Sequence, residues 1–267
     1  MVRLSVPLYF VLTFVVASNS LASSILVQST TSTKNSGLYE FILPQIKTDI
    51  GLTVHIVAVG TGQAIKNAER CDADVLLVHA KKAEEKFVAD GFGINRVDLM
   101  YNDFIIVGPE SDPASISGMT SATEALQKIV ATQSLFVSRG DNSGTHKAEL
   151  SLWKAWRFDP IGASGSWYRE TGSGMGTTLN VSVGMDAYTI SDRATWSNFG
   201  NKGNFKIHVE GDPALFNQYG VMLVNPKKCP SVNTEGGQKF IDWLLSFKGK
   251  EAIANFQING KQVFFPN

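Results

Sequence analysis

Three short segments place hydrogen-bond donors where the pattern changes from strand to helix. Gln28-Ser29-Thr30-Thr31-Ser32-Thr33 follows the β-branched run Ile25 to Val27 and precedes Leu38, Phe41, Ile42 and Ile46 at helical spacing. Thr30 to Thr33 supplies four hydroxyls where a helix needs one at its N-cap, so the surplus points to a ligand unless the others are simply solvated. Gly60-Thr61-Gly62-Gln63 follows the alternating run Thr53 to Val59, although Gly-Thr-Gly also serves as an ordinary tight turn. The third segment, Ser138-Arg139-Gly140-Asp141-Asn142-Ser143-Gly144-Thr145-His146, sets a guanidinium just ahead of a Ser-Gly-Thr cap. A guanidinium forks onto two oxygens, and the free N–H groups of a helix N-terminus attract negative charge. The chemistry expected is capture of a small anion; the plain alternative is that Arg139 pairs with Asp141 on the surface.

Other chemistry is less well supplied. Asp141, Ser143 and His146 together suggest a serine hydrolase, but Ser143 and His146 would share the first turn of one helix. The Gly-x-Ser-x-Gly elbow with distant partners is also missing. His146 and Glu149 at i, i+3 fall short of a metal site and read as a solvated helix face. His55, His79 and His208 lie in strand-like apolar surroundings and read as hydrogen-bonded structural histidines. Trp153, Trp156, Trp167, Trp196 and Trp243 read as packing.

The elements that must hold the loops alternate. Asp74 to His79 is a third apolar strand, followed by a charged helix from Lys81 to Asp90. Leu99 to Val107 is extended, a helix follows from about Ser121 to Ala131, and Leu135 to Ser138 delivers the Arg139 loop to the helix of Leu150, Trp153 and Trp156. Gly172 to Gly176 opens another helix, Val221 to Val224 is a returning strand, and Phe240, Trp243, Leu244 and Phe247 form one face of a C-terminal helix. Strand and helix in alternation predict an α/β fold with a parallel sheet.

Arg3 before the apolar run Leu4 to Val16, with small residues at Ser20 and Ala22, reads as a secretory signal peptide over residues 1–22. That run is shorter than the about 20 residues a membrane span needs, so no membrane insertion is expected once it is removed. Roughly 245 residues then remain, enough for two compact lobes. Lys and Arg number 24 against 24 Asp and Glu, with no basic run able to track a phosphate backbone, so no nucleic acid partner is expected. Cys71 and Cys229 can form one disulfide in an oxidising compartment, but spacing does not decide whether they meet.

Thr30-Thr31-Ser32, Gly60-Thr61-Gly62-Gln63, Asp72-Ala73-Asp74-Val75-Leu76-Leu77-Val78-His79, Asn102-Asp103-Phe104, Ser138 to His146, and Asp192-Arg193 with Trp196 stand in matching order over nearly the whole chain. Together they resemble the tungstate-binding receptors of bacterial ABC importers. The resemblance implies a type II periplasmic binding protein: lobe I over residues 23–105 and 221–267, lobe II over residues 106–220, and a ligand cleft between them. It implies a periplasmic, monomeric, non-enzymatic receptor that needs no cofactor, holds an oxyanion and delivers it to a membrane permease. The oxyanion ligands it implies are Thr30, Thr31, Ser32, Thr61, Arg139, Ser143, Gly144 and Thr145. Gly62, Gly176 and Arg193 are lesser candidates, and pairing with Asp192 or another carboxylate would equally occupy Arg193. Where that family commonly has Gly, this chain has Cys71, which supports a disulfide specific to it and leaves the anion site alone.

Tungstate and molybdate are dianions without a proton at neutral pH, so their site should offer donors only. A phosphate receptor profits from an acceptor for the hydrogen of its ligand, and Asp141 keeps phosphate open as the alternative. Sequence does not separate tungstate from molybdate.

Overall fold

The computed structural model describes residues 24–267, so the signal-peptide reading lies outside it. Strand β1 (Ser24–Thr30) runs directly into the short helix α1 (Thr31–Asn35), then α2 (Leu38–Ile50), β2 (Thr53–Val59), α3 (Thr61–Glu69), β3 (Val75–Val78) and α4 (Lys81–Ala89). A 17-residue strand, β4 (Gly93–Pro109), leads to α5 (Ala122–Thr132), β5 (Phe136–Ser138), α6 (Gly144–Ala155), β6 (Tyr168–Glu170), α7 (Met175–Gly184), β7 (Thr189–Asp192), α8 (Arg193–Asn198) and β8 (Phe205–Val209). The chain returns through β9 (Phe216–Val224) to α9 (Thr234–Leu245) and α10 (Phe247–Asn255).

Register positions the site. β1 lies parallel to β2 from Ser24↔Thr53 to Thr30↔Val59, so the loops that begin at Thr30 and Gly60 leave one edge side by side. β3 is parallel to β1 on its other side and delivers His79 to the same edge. In the second lobe β5 pairs parallel with β6, and the bridge Phe136↔Tyr188 sets β7 alongside, so Arg139 and Asp192 emerge together. Ligands of open α/β sheets bind at such carboxyl ends.

Two cores brace these edges. Ile25, Ile42, Ile46, Leu77, Phe240, Trp243 and Phe264 pack on one face of the first sheet, and Ala64, Leu76, Phe87 and Met222 on the other. In the second lobe Phe136, Leu126, Ile129, Trp153, Tyr168 and Tyr188 form an aromatic-rich core. Both lobes share β4, which pairs with β9 near its start and with β7 and β8 near its end.

Three expectations are corrected. The sheet is mixed, because the strands that cross between lobes, β4 and β9, run antiparallel to each other, and β9 runs antiparallel to β3. Apolar content marks a strand but carries no sign of its direction. The C-terminal helix is two helices: Ser246 takes an extended conformation and caps the second through Gly249 N–H, leaving Phe247 82% exposed instead of on the face of Phe240 and Trp243. His55, read as structural, is exposed on β2, while His208 is buried and bonded to Ser117 and the Pro109 carbonyl.

Cys71 and Cys229, 158 positions apart in sequence, are joined by a disulfide with Cα atoms 5.2 Å apart. The loop it closes contains the whole excursion through the second lobe, and closing so long a loop restricts the unfolded chain. Cys71→Ser with Cys229→Ser is expected to lower stability by about 2 to 4 kcal/mol in thermal unfolding. An unchanged melting temperature would show that the bridge contributes nothing.

Candidate anion-binding site

Thr30 is the N-cap of α1: its hydroxyl accepts the Thr33 N–H at 3.4 Å and shares a 2.7 Å hydrogen bond with the Thr33 hydroxyl. It is the single capping hydroxyl the helix needs. Thr31 follows with a different fate, for its Oγ1 is buried and has no hydrogen-bond partner. Ser32 lies 3.2 Å from Nε2 of His79. Asn217 gives its amide hydrogen to Asn102 and therefore accepts from Nδ1 of His79 through its Oδ1, so Nε2 is the acceptor for the Ser32 hydroxyl. The expected Ser32 donor is thus turned toward the ring, and only its N–H remains for a ligand. Burial lowers the His79 pKa to about 4, opposed by the bond to Asn217, and the ring is neutral at pH 7.

The Arg139 loop faces these residues from the second lobe. Arg139 is 2% exposed; its Nη2 donates to Asp141 at 2.6 Å, while Nε is buried without a partner. Asp141 is itself braced, its Oδ1 taking the Ser143 N–H at 3.2 Å. The pair is therefore partly buried rather than a surface pair, and it orients the guanidinium. Both Asp141 oxygens are engaged, which weakens the case for an acceptor that would serve phosphate. Ser143 caps α6 through the His146 N–H at 3.1 Å and keeps its own hydroxyl hydrogen. Thr145 Oγ1, one residue into the helix beyond Gly144, is buried without a partner.

Across the cleft the loops touch. Gly144 N–H donates to Thr61 Oγ1 at 2.9 Å, and Gly62 N–H to the Asn142 carbonyl at 2.8 Å. Thr61 keeps its hydroxyl hydrogen, but the Gly62 and Gly144 N–H groups are taken. A side chain at Gly144 would have no room, since a Cβ there would meet the His79 ring at 2.8 Å and the His79 carbonyl at 2.9 Å. Thr195 Oγ1 donates to the Ser32 carbonyl at 3.4 Å, and Asn198 to the Asn35 carbonyl at 2.8 Å. Gly176 lies in the first turn of α7, whose cap Gly174 forms no side-chain bond and sits close to Thr31.

Arg193 goes elsewhere. Its Nε and Nη2 fork onto Asp103, both at 2.6 Å, and Nη2 also meets Glu210 at 2.7 Å. It lines a separate cavity of about 620 Å³ with Tyr101, Trp196, Phe216 and Phe265. Neither does the hydrolase set assemble: His146 Nδ1 lies 3.1 Å from Ser138 Oγ, so its ring is not placed on Ser143 as a base. Glu149 is buried, not solvated, and accepts from Ser138, Trp153 and Tyr168 at 2.7, 3.0 and 2.7 Å. Its position four residues before Trp153 put it on the inner face, where Tyr168, unseen from local sequence, completes the set.

The PBP superfamily domain matches residues 16–248. The tungstate-binding protein TupA of Peptoclostridium acidaminophilum is 45% identical over 248 residues, covering 91% of this chain and 86% of that protein. The chain belongs to this family. Among solved structures, the tungstate-binding protein TupA of Desulfovibrio alaskensis G20 is 46% identical with a TM-score of 0.78, covering 92% of this chain and 99% of that one. The tungstate ABC transporter structure from Geobacter sulfurreducens is also 46% identical, with a TM-score of 0.80 over 87% of this chain and 98% of its own. The family consists of solute-binding proteins of ABC transporters, and no helix among the described residues is long and apolar enough to cross a membrane.

His79, which its strand-like apolar neighbours mark only as structural, bonds to Ser32 at the start of α1 and packs against Gly144 at once. Gly144→Ala should hold the two loops apart and weaken ligand binding at least roughly tenfold with the fold intact, read by calorimetry and circular dichroism. His79, with its folded pKa below the ordinary 6.5, favours the folded state above pH 6.5 and loses that contribution as pH falls toward 4. Denaturant titrations at the two ends of that window should show up to about 3 kcal/mol of acid destabilisation from this ring, reduced in His79→Gln.

Proposed function

We propose that the chain is a periplasmic receptor that captures tungstate between its lobes and delivers it to the permease of an ABC importer. The observation that carries this reading is the set Thr31 Oγ1, Arg139 Nε and Thr145 Oγ1, buried donors with no partner. An unsatisfied buried polar group costs about 1 to 3 kcal/mol, so loops of the two lobes that each keep such donors have a use for them. The hydroxyl hydrogens of Thr61 and Ser143, the Thr145 N–H and the first-turn N–H groups of α7 add donors around them. Tetrahedral and divalent, tungstate needs donors from many directions and no proton acceptor. The relatives at 45 and 46% identity are tungstate-binding proteins.

Because the donors belong to both lobes, they reach the anion together only when the cleft is shut, so the anion stabilises the closed form that the permease would read. The anion is cargo: no bond is broken, no cofactor takes part, and the receptor acts as a monomer after export.

Calorimetric titration with tungstate, molybdate, sulfate and phosphate tests the assignment, with tungstate expected to bind most tightly. A preference for phosphate would put the phosphate-receptor reading first. Arg139→Ala removes charge-assisted bonds of about 1.5 to 3 kcal/mol each and should weaken tungstate binding by roughly a hundredfold while the protein stays folded. Unchanged affinity in that variant would defeat the assignment.

A further inference from the structure

Asp192 ends β7 and caps α8, fully buried, with Oδ1 taking the Thr195 N–H at 2.8 Å. A cap needs only that bond. Its second oxygen, Oδ2, is buried with no hydrogen-bond partner. The pair Phe104↔Asp192 seats the residue on the strand shared by both lobes. β7 runs beside β5 through the Val137 N–H to Tyr188 and the Thr189 hydroxyl to the Val137 carbonyl, so Asp192 leaves its strand at the edge from which Arg139 leaves. The two side chains feel each other's charge, and Thr195, in the same turn as Asp192, reaches the Ser32 carbonyl. Asp192 therefore stands where the arginine loop and the hydroxyl turn meet.

The surrounding charges do not balance a dianion. Arg139 and Lys147 are the cations on the α6 side, Lys147 is held on the Asn142 carbonyl, and Glu149, with His146 beside it, is bonded to Ser138, Trp153 and Tyr168. Asp141 is opposite Arg139. From β9, Tyr219 presents a phenol that burial keeps protonated; from the end of β3, His79 is neutral and stacks on Tyr219 at 4.7 Å. On β4, Asp103 is tied to Arg193, which also holds Glu210. α1 presents hydroxyls and N–H groups, its one cation, Lys34, lying exposed. Two positive charges thus face Asp141, an ionised Asp192 and a ligand carrying two negative charges. In a medium of low dielectric such a surplus is strongly unfavourable, and a single proton removes one unit of it.

We propose that the receptor takes up one proton from solvent as it captures its dianion, holding it on Asp192 as a new O–H bond at Oδ2. The proposal rests on the anion-receptor reading. Burial holds the Asp192 carboxyl above its ordinary range, against the Thr195 N–H and the Arg139 charge, and the arriving anion pushes it in the same direction. Since the bound form carries the extra proton, affinity falls as pH rises, by up to about tenfold per pH unit where the full proton is taken up. The proton also turns an acceptor oxygen into a donor, matching the rest of the site.

Titration of the purified protein with sodium tungstate near neutral pH, in two buffers of different ionisation enthalpy, counts the protons. The expected result is uptake of about one proton per anion in the wild type and almost none in Asp192→Asn, whose carbonyl oxygen can still accept the Thr195 N–H. The dependence of affinity on pH should flatten in Asp192→Asn. Equal heats in both buffers for the wild type, or uptake that persists in Asp192→Asn, would each overturn the proposal. Should Asp192→Asn fail to fold, Asp192→Ser, whose hydroxyl can also cap α8 but takes up no proton, gives the same comparison. Tungstate binding without proton uptake leaves the receptor reading standing, whereas no binding heat at any pH removes that reading and the proposal with it.

Discussion

A doubly charged anion can be taken out of water only if its hydrogen bonds are replaced at once, which obliges the protein to keep donors buried and unpaired beforehand. Folding ordinarily works the other way, satisfying each buried polar group from its neighbours. Much of the local structure here prevents that self-satisfaction. The Thr30 hydroxyl is used on Thr33, so α1 is capped without Thr31. Asp141 takes one nitrogen of Arg139 and leaves Nε. Glu149 takes the Ser138 hydroxyl and, with Trp153 and Tyr168, fixes the base of the same loop.

The two lobes extend the same constraint to motion. Thr61 and Gly144, Gly62 and Asn142, Ser32 and Thr195 bridge the cleft with bonds that are few and polar, and β4 and β9 carry the chain across. Polar bridges of this kind exchange with water at small net free energy, so the lobes are free to part, while the sheet shared through β4 keeps their approach reproducible. The neutral His79 ring lies where these contacts converge. A charged ring there would have changed the balance against which the anion is held, and burial removes that charge at neutral pH.

Local sequence was most legible where one short segment carries the whole signal. The change from strand to helix at Thr30, at Gly60 and at Ser143 is in each case a matter of neighbouring residues and occurs in all three places, although at Thr30 the strand passes directly into the helix with no turn between them. It was least legible where the partner is distant. Arg193 resembles a cleft cation until Asp103, 90 positions away, claims it. Glu149 looks solvated until Tyr168 and Ser138 close over it. The sense of β9 and the pairing of Cys71 with Cys229 likewise involve residues far apart along the chain.

The order of residues by itself determined which groups can donate and which helix each loop opens, because capping, backbone N–H direction and hydroxyl content act over three or four residues. Only the tertiary structure decided which donors remain unpaired, since that depends on which distant side chain arrives first: His79 at Ser32, Asp103 at Arg193, and none at Thr31 Oγ1, Arg139 Nε or Thr145 Oγ1.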